Sequence, residues 1–231
     1  MATTLIRKAT AKDVPRLVEL HCSVFNANTN YLLLLGRCFL QRFFSWYCEN
    51  GEAFMLVAEG PSGIAGYIAV HHGPYYRAIR ANWPSALLGF VAHPTLAFHP
   101  MIKSRIRTML SATASPRGVP TQRACLAYLA VDPAMRVKGV APALVQAALS
   151  ECRSRGWYDV VTSMHTDNLR ARSLYAMLGF ETSSLTDGEG LASVRIDLHP
   201  KAPSGNGKRA TRSQDPLPSL GTIPAQDTQH S

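Results

Sequence analysis

Residues able to do chemistry gather between Val131 and Phe180. In the run Arg136-Val137-Lys138-Gly139-Val140-Ala141, Gly139 and Ala141 are small enough for a backbone to approach a ligand closely. The helix that follows opens with amide donors that have no intrahelical partner, and such a turn suits a pyrophosphate. A glycine-bearing turn from strand to helix is also common where no nucleotide binds, so on this segment alone both readings stand. Downstream, Tyr175 lies on a second helix, where spacing alone reads it as a half-buried aromatic with a wet hydroxyl. His165 follows Ser163 by two residues on the same strand face, and histidine titrates close enough to neutrality to accept a proton. A histidine at the strand end, held at the surface, is the competing reading. Asn168, beside Asp167, is a strong helix N-cap.

The elements that must position these residues follow from periodicity. Cys125 to Val131 is apolar and continuous, as a buried strand is. Pro142 falls in the first turn of the next helix, Leu144, Val145, Ala148 and Cys152 recur at helical spacing, and Gly156 closes it. Val160 to Met164 reads as a second strand. Asn168 then starts a helix whose Ala171, Leu174 and Leu178 face inward, ending at Gly179 before Phe180 resumes extended chain. In the amino-terminal half, Leu5 to Ala9 reads as a strand, and Thr10 with Asp13 resembles a capping box. Val14, Leu17, Val18, Cys22 and Phe25 form the apolar face of a first helix, and a second is expected from Tyr31 to Tyr47. Phe54 to Glu59 and Ile64 to Val70, separated by Gly60-Pro61-Ser62-Gly63, read as a hairpin.

With these parts in order, the chain resembles the GNAT superfamily of N-acetyltransferases. Arg136 to Ala141 looks like the family's CoA pyrophosphate loop, introduced by Val131-Asp132-Pro133, and Asn168 through Ala171 with Leu174-Tyr175 to Leu178-Gly179-Phe180 is similar to its second signature. The resemblance covers about residues 4 to 198. It implies an α/β fold with a mixed, mainly antiparallel sheet, flanked by helices and splayed at the acetyl-CoA site. It also implies direct transfer of an acetyl group from acetyl-CoA to an amine. Leu129, Ala130 and Val131 would hold the pantetheine arm through their backbone, Arg136, Val137, Lys138, Gly139, Val140 and Ala141 the pyrophosphate, and Asn168 would touch the arm. Tyr175 matches the proton donor to the departing sulfur, and phenol, with an ordinary pKa of about 10, is protonated at neutral pH.

Two positions depart from the family pattern. Val137 stands where many members have glycine, which removes no side-chain ligand because the loop works through its main chain. Ser163 stands where some members place a glutamate base, so the base falls to His165, with His71, His72 or solvent as alternatives. A protein N-terminal or lysine acetyltransferase and a non-catalytic acyl-CoA sensor remain as rivals.

Composition bounds the rest. The chain has 231 residues, a formal charge of +9 and no aspartate or glutamate from Gly60 through Val131. The segment from 73 to 123 is expected to be a basic helical insertion within a domain spanning 1–198, and its arginines favour a small-molecule amine with an anionic body, such as an amino sugar or nucleotide-linked amine. Solvated arginines on a helical hairpin are the plainer alternative. No nucleic-acid motif accompanies the charge. The uncharged run Ala81 to Ile102 contains histidines, an asparagine and prolines, which argues against a transmembrane helix. His93 and His99 have no carboxylates nearby, so no metal is expected. Five cysteines without paired spacing point to reduced thiols and a cytoplasmic protein. A homodimer is left open. Residues 199–231 are rich in proline, glycine and polar residues and are expected to be disordered.

Overall fold

The computed structural model describes residues 4–27, 30–74, 76–92, 94–99, 102–103, 122–135, 139–187 and 191–199. Arg136, Val137 and Lys138 of the expected pyrophosphate loop, much of the basic segment and residues 200–231 of the tail lie outside them.

Seven strands form one sheet: β1 (Leu5–Lys8), β2 (Ala53–Gly60), β3 (Gly63–His72), β4 (Arg123–Val131), β5 (Asp159–His165), β6 (Glu181–Asp187) and β7 (Leu191–Asp197). Their order is β1-β2-β3-β4-β5-β7-β6. Every neighbouring pair is antiparallel except β4 with β5. The mixed, mainly antiparallel α/β sheet expected from the sequence is therefore the one observed.

Side chains alternate between the sheet's two faces, so β2 and β3 feed two separate cores. Met55, Val57, Tyr67 and Ala69 join α1 (Val14–Val24) and α2 (Gly36–Glu49) on one face, while Phe54, Leu56, Ile68 and Val70 join α5 (Val140–Ser154) on the other. Coverage on both sides explains why these strands read as unbroken apolar runs rather than as alternation. The first helix enters through the expected capping box, with the Thr10 amide donating to the Asp13 carboxylate at 2.8 Å. The second departs from expectation. Tyr31 to Leu35 wind through successive three-residue turns, such as Leu34 N–H to the Tyr31 carbonyl at 3.1 Å, and α2 begins only at Gly36. Periodicity cannot separate such turns from α-helix, since both return apolar residues to one side every three or four positions.

After β3 come two short helices, α3 (Tyr76–Ala81) and α4 (Trp83–Ala92), then a 3-10 turn at Pro94–Phe98. The last helix, α6 (Leu169–Met177), precedes the β6–β7 hairpin. Among the described residues, no helix is long and apolar enough to cross a membrane.

Candidate active site

The site exists because two parallel strands part company. β4 and β5 pair at Arg123 with Asp159, Ala124 with Val160 and Cys125 with Val161, and the pairing stops there. Asp159 clamps the closed end, its carboxylate accepting from Arg123 Nε at 2.8 Å and Arg195 Nε at 2.6 Å. Where the strands separate, the Leu126 carbonyl loses a ladder partner and would be a buried, unsatisfied acceptor. The Thr162 hydroxyl replaces that partner, donating to the Leu126 oxygen at 2.8 Å. On its other edge, β4 slips register against β3, pairing Tyr128 with Ala69 and then Leu126 with Val70, so Ala127 is an extra residue. This bulge turns β4 as it leaves β5, a common device beside binding sites. It also resets the alternation: Leu126 serves the α5 core, Tyr128 and Ala130 the opposite one, and Leu129 and Val131 pack on the α5 side again.

Between the diverging strands lies a cleft of about 380 Å³. Leu126 to Leu129 line one wall, and Thr162 to His165 with Asn168, Ala171 and Tyr175 line the other. Of the three expected pantetheine contacts, Leu129 faces the cleft. The side chains of Ala130 and Val131 go to the two cores, which leaves only their main chain to offer a ligand.

The turn after β4 is fixed by Asp132. Its amide donates to the Ala65 carbonyl at 2.8 Å, and its carboxylate accepts from the Ala134 amide at 2.9 Å and from Arg16 of α1 at 3.0 Å. Gly139, the N-cap of α5, has φ +99, a left-handed conformation that side-chain-bearing residues resist. Ala143 donates back to the Gly139 carbonyl at 3.0 Å and Pro142 has no N–H. Val140 and Ala141 are therefore the first-turn amides with no intrahelical acceptor, and the helix dipole adds positive potential at them. A close approach seats this helix on the sheet: a Cβ on Gly66 would stand 2.8 Å from the Ala130 carbonyl and 3.2 Å from Leu144 Cδ1.

Tyr175 lies on α6 and is 5% exposed, its hydroxyl beside Thr162. The helix ends immediately after it in a Schellman motif, with Phe180 N–H donating to the Tyr175 carbonyl at 2.9 Å and Gly179 N–H to Ala176 at 3.1 Å. The rings of Tyr175 and Phe180 sit 5.1 Å apart, the apolar contact that accompanies this motif. Burial pushes the Tyr175 phenol up to about 12, with the Thr162 hydroxyl offsetting part of the rise. At neutral pH it is an acid. The cleft also contains Cys125, whose thiol burial raises to about 12, so it is not an available nucleophile. Asn168 serves as the cap, its side-chain oxygen accepting from the Ala171 amide at 3.1 Å, while it also lines the cleft. His165 lines it too, half-buried at the end of β5.

His71, an alternative base in the sequence, is excluded by its partners. Its Nε2 faces the Pro74 carbonyl at 3.1 Å, which can only accept, so Nε2–H donates and Nδ1 accepts from the Tyr47 hydroxyl at 2.9 Å. Both nitrogens are used, the residue is fully buried, and desolvation lowers its pKa to about 4. His72 lies beside Trp157 and is not part of the cleft.

A third wall, invisible in the sequence, closes the cleft from the α1–α2 face. Phe25, Asn30 and Tyr31 come from the connection between those helices and meet Tyr128 of β4. Behind Asn30 is His21, fully buried. The Leu32 amide donates to Asn30 Oδ1 at 3.1 Å, which turns Asn30 Nδ2 toward His21 Nε2 at 3.0 Å. Nε2 must then accept, and Nδ1–H donates to the Tyr67 hydroxyl at 2.6 Å. Desolvation holds the His21 pKa down at about 3. Its neutral ring is a strut for the wall. Among the described residues, no group of three or more histidine, cysteine, aspartate or glutamate side chains could hold a metal ion.

A sequence model described as the acetyltransferase (GNAT) family matches residues 26–180. No curated protein matches the chain in sequence. Among solved structures, it is similar to the PaiA N-acetyltransferase of Thermoplasma acidophilum in complex with coenzyme A, with 14% identity, a TM-score of 0.55, and coverage of 84% of this chain and 99% of that one. The ribosomal-protein-S18-alanine N-acetyltransferase of Escherichia coli aligns at 12% identity and TM-score 0.51, over 90% of this chain and 100% of that one. A phosphinothricin acetyltransferase of Sinorhizobium meliloti in complex with AcCoA aligns at 16% identity and TM-score 0.54, over 85% and 89%. At these identities the likeness is one of fold.

Proposed function

The chain belongs to the acetyltransferase (GNAT) family, and on that premise we propose that the cleft between β4 and β5 moves an acetyl group directly from acetyl-CoA to a primary amine of a small molecule. The family assignment makes it an acyltransferase with acetyl-CoA as co-substrate, and structural neighbours carry coenzyme A or acetyl-CoA.

The observation that carries the residue roles is a buried, protonated tyrosine across the cleft from the stretch of β4 that has parted from β5. The amides of Val140 and Ala141, after the left-handed Gly139, receive the pyrophosphate, with Arg136, Val137 and Lys138 completing the loop. The backbone of Leu129, Ala130 and Val131 takes the pantetheine arm as a further strand would be taken, and Asn168 borders it. With the thioester held at the opening, the uncharged amine attacks the carbonyl carbon, and as the carbon–nitrogen bond forms the nitrogen gives its surplus proton to His165. A main-chain N–H on the parted edge of β4 meets the oxyanion. On collapse the carbon–sulfur bond breaks, and Tyr175 supplies the proton that converts the departing thiolate to the CoA thiol. The proton taken up by His165 returns to the resulting phenolate through solvent, which restores the acid. Cys125 stays a thiol, which favours this one-step transfer over an acyl-cysteine intermediate.

Substituting Tyr175→Phe removes the acid and leaves the fold. Turnover is expected to drop about a hundredfold or more while acetyl-CoA binding is retained. Unchanged turnover would remove the assignment. Because the phenol stays protonated to about 12, the wild type shows no alkaline loss of kcat from this group below about pH 11. A module that only senses acyl-CoA would have no use for a protonated phenol at this position.

A further inference from the structure

We propose that the acceptor subsite takes a primary amine carried on an uncharged aromatic body, held against the wall formed by Phe25, Tyr31 and Tyr128 with Asn30 as its polar contact. This deepens the acetyltransferase reading and rests on it.

The two substrates must approach from opposite faces of the sheet. The first turn of α5 belongs to one face, and α1 and α2, whose connection supplies the third wall, cover the other. CoA bound at Gly139 therefore fills the cleft from the α5 side, leaving Phe25, Asn30 and Tyr31 as the surfaces the acceptor meets. None of the described residues lining the cleft is an aspartate, glutamate, lysine or arginine. An anionic body would thus be desolvated there without a compensating cation, a large penalty. Of the described cations of the basic segment, Arg77 pairs with Glu52, Arg123 pairs with Asp159 at the closed end, Lys103 lies over the Phe98 ring, and Arg80 is exposed on α3 and is not among the residues lining the cleft. The anionic acceptor expected from composition has no charged counterpart among the described residues of these walls.

The walls offer instead aromatic surface and a fixed amide. The Phe25 and Tyr128 ring centroids are 5.9 Å apart at 82°, and His21 backs both, at 4.5 Å and 5.2 Å. Such edge-to-face packing holds the rings in place before any ligand arrives. Asn30 is locked by the Leu32 amide and His21, so its polar atoms are preorganised rather than free to follow a ligand. A flat apolar body fits this wall, its amine leading toward the thioester, and His165 is the lining side chain suited to take the amine's proton.

The test uses two amines that share an aminoethyl group and differ in what carries it: 2-phenylethylamine and O-phosphoethanolamine, beside a short peptide with a free amino terminus. Release of CoA is followed with the full chain, and CoA affinity is measured separately by calorimetry. The expected kcat/KM for phenylethylamine exceeds that for each of the others by about tenfold or more. Phe25→Leu, which keeps bulk but loses the ring, and Tyr31→Ala each raise the KM for phenylethylamine about tenfold, with that for acetyl-CoA unchanged. A preference for the phosphorylated amine or the peptide overturns the proposal. So does a protein that binds CoA and acetylates none of the three, or variants that leave the phenylethylamine KM unchanged. Absence of CoA binding would instead bring down the acetyltransferase reading itself.

Discussion

The two walls assigned by proposal to the substrates are built on opposite principles. The proposed cofactor wall offers main chain: the amides after Gly139 and the edge of β4 that parts from β5, with side chains of Ala130 and Val131 turned away into the cores. The proposed acceptor wall offers side chains, three rings and an amide braced by a buried histidine. A main-chain site constrains residue type only where a side chain would obstruct, so it leaves a short pattern of small residues at fixed offsets. A side-chain site draws residues from separate segments and leaves no such pattern. One wall can therefore serve a cofactor shared by a whole family while the other sets what this chain acts on.

Perturbations should separate the walls. The largest effect is expected from Gly139→Val, which places a β-branched residue at φ +99, a conformation costing on the order of 1–3 kcal/mol. The turn must relax, and the KM for acetyl-CoA rises roughly ten- to a hundredfold by that figure, with the acceptor KM unchanged. Equal effects on both substrates would break the comparison.

A smaller effect is expected where the walls meet. Thr162→Val keeps the shape but strands the Leu126 carbonyl, a loss of about 1–3 kcal/mol for a buried unsatisfied acceptor. It should lower both Tm and kcat, since the same hydroxyl stands beside Tyr175. Thr162→Ser should restore both, and a Tm change without a kcat change would limit Thr162 to holding the strands.

The smallest concerns pH. His21, behind the acceptor wall, and His71 titrate at about 3 and about 4 in the fold, below the ordinary 6.5. The unfolded chain therefore binds protons that the folded chain refuses. Stability is full above about pH 6.5 and falls as pH drops below it, by under about 1 kcal/mol per histidine between pH 7 and 6 and more steeply toward their folded values. Denaturant midpoints across that range check the slope, and His71→Gln should flatten it. A slope of the opposite sign would contradict the buried, neutral assignment.

The same asymmetry explains what was legible in the sequence. The order of strands and helices as far as Phe180 and the turn at Gly139 could be read because periodicity and backbone geometry are local, whereas the division of the chain beyond it into β6 and β7 could not. Asn168 could be read as a cap for the same reason, and its bond to Ala171 is a local one. Thr162 gave no signal, because its partner, the Leu126 carbonyl, lies in another strand and is left unpaired only by a separation the sequence does not encode locally. The bulge at Ala127 was hidden in an apolar run that reads identically with or without it. Nothing in the sequence singles out His21 or Asn30, since what joins them is the tertiary approach of Tyr67 and the turn at Leu32. Composition counts the arginines of the basic segment but not the partners of those that are described: Arg77 lies with Glu52 and Arg123 with Asp159, carboxylates that other parts of the fold supply.

The account rests on main-chain donors after β4 gripping a diphosphate so that a thioester lies beside Tyr175. Calorimetric titration of the wild-type protein with coenzyme A tests this most directly. Saturable one-to-one heat is predicted, weakened by Gly139→Val and retained by Tyr175→Phe. An absence of heat at millimolar coenzyme A would contradict it.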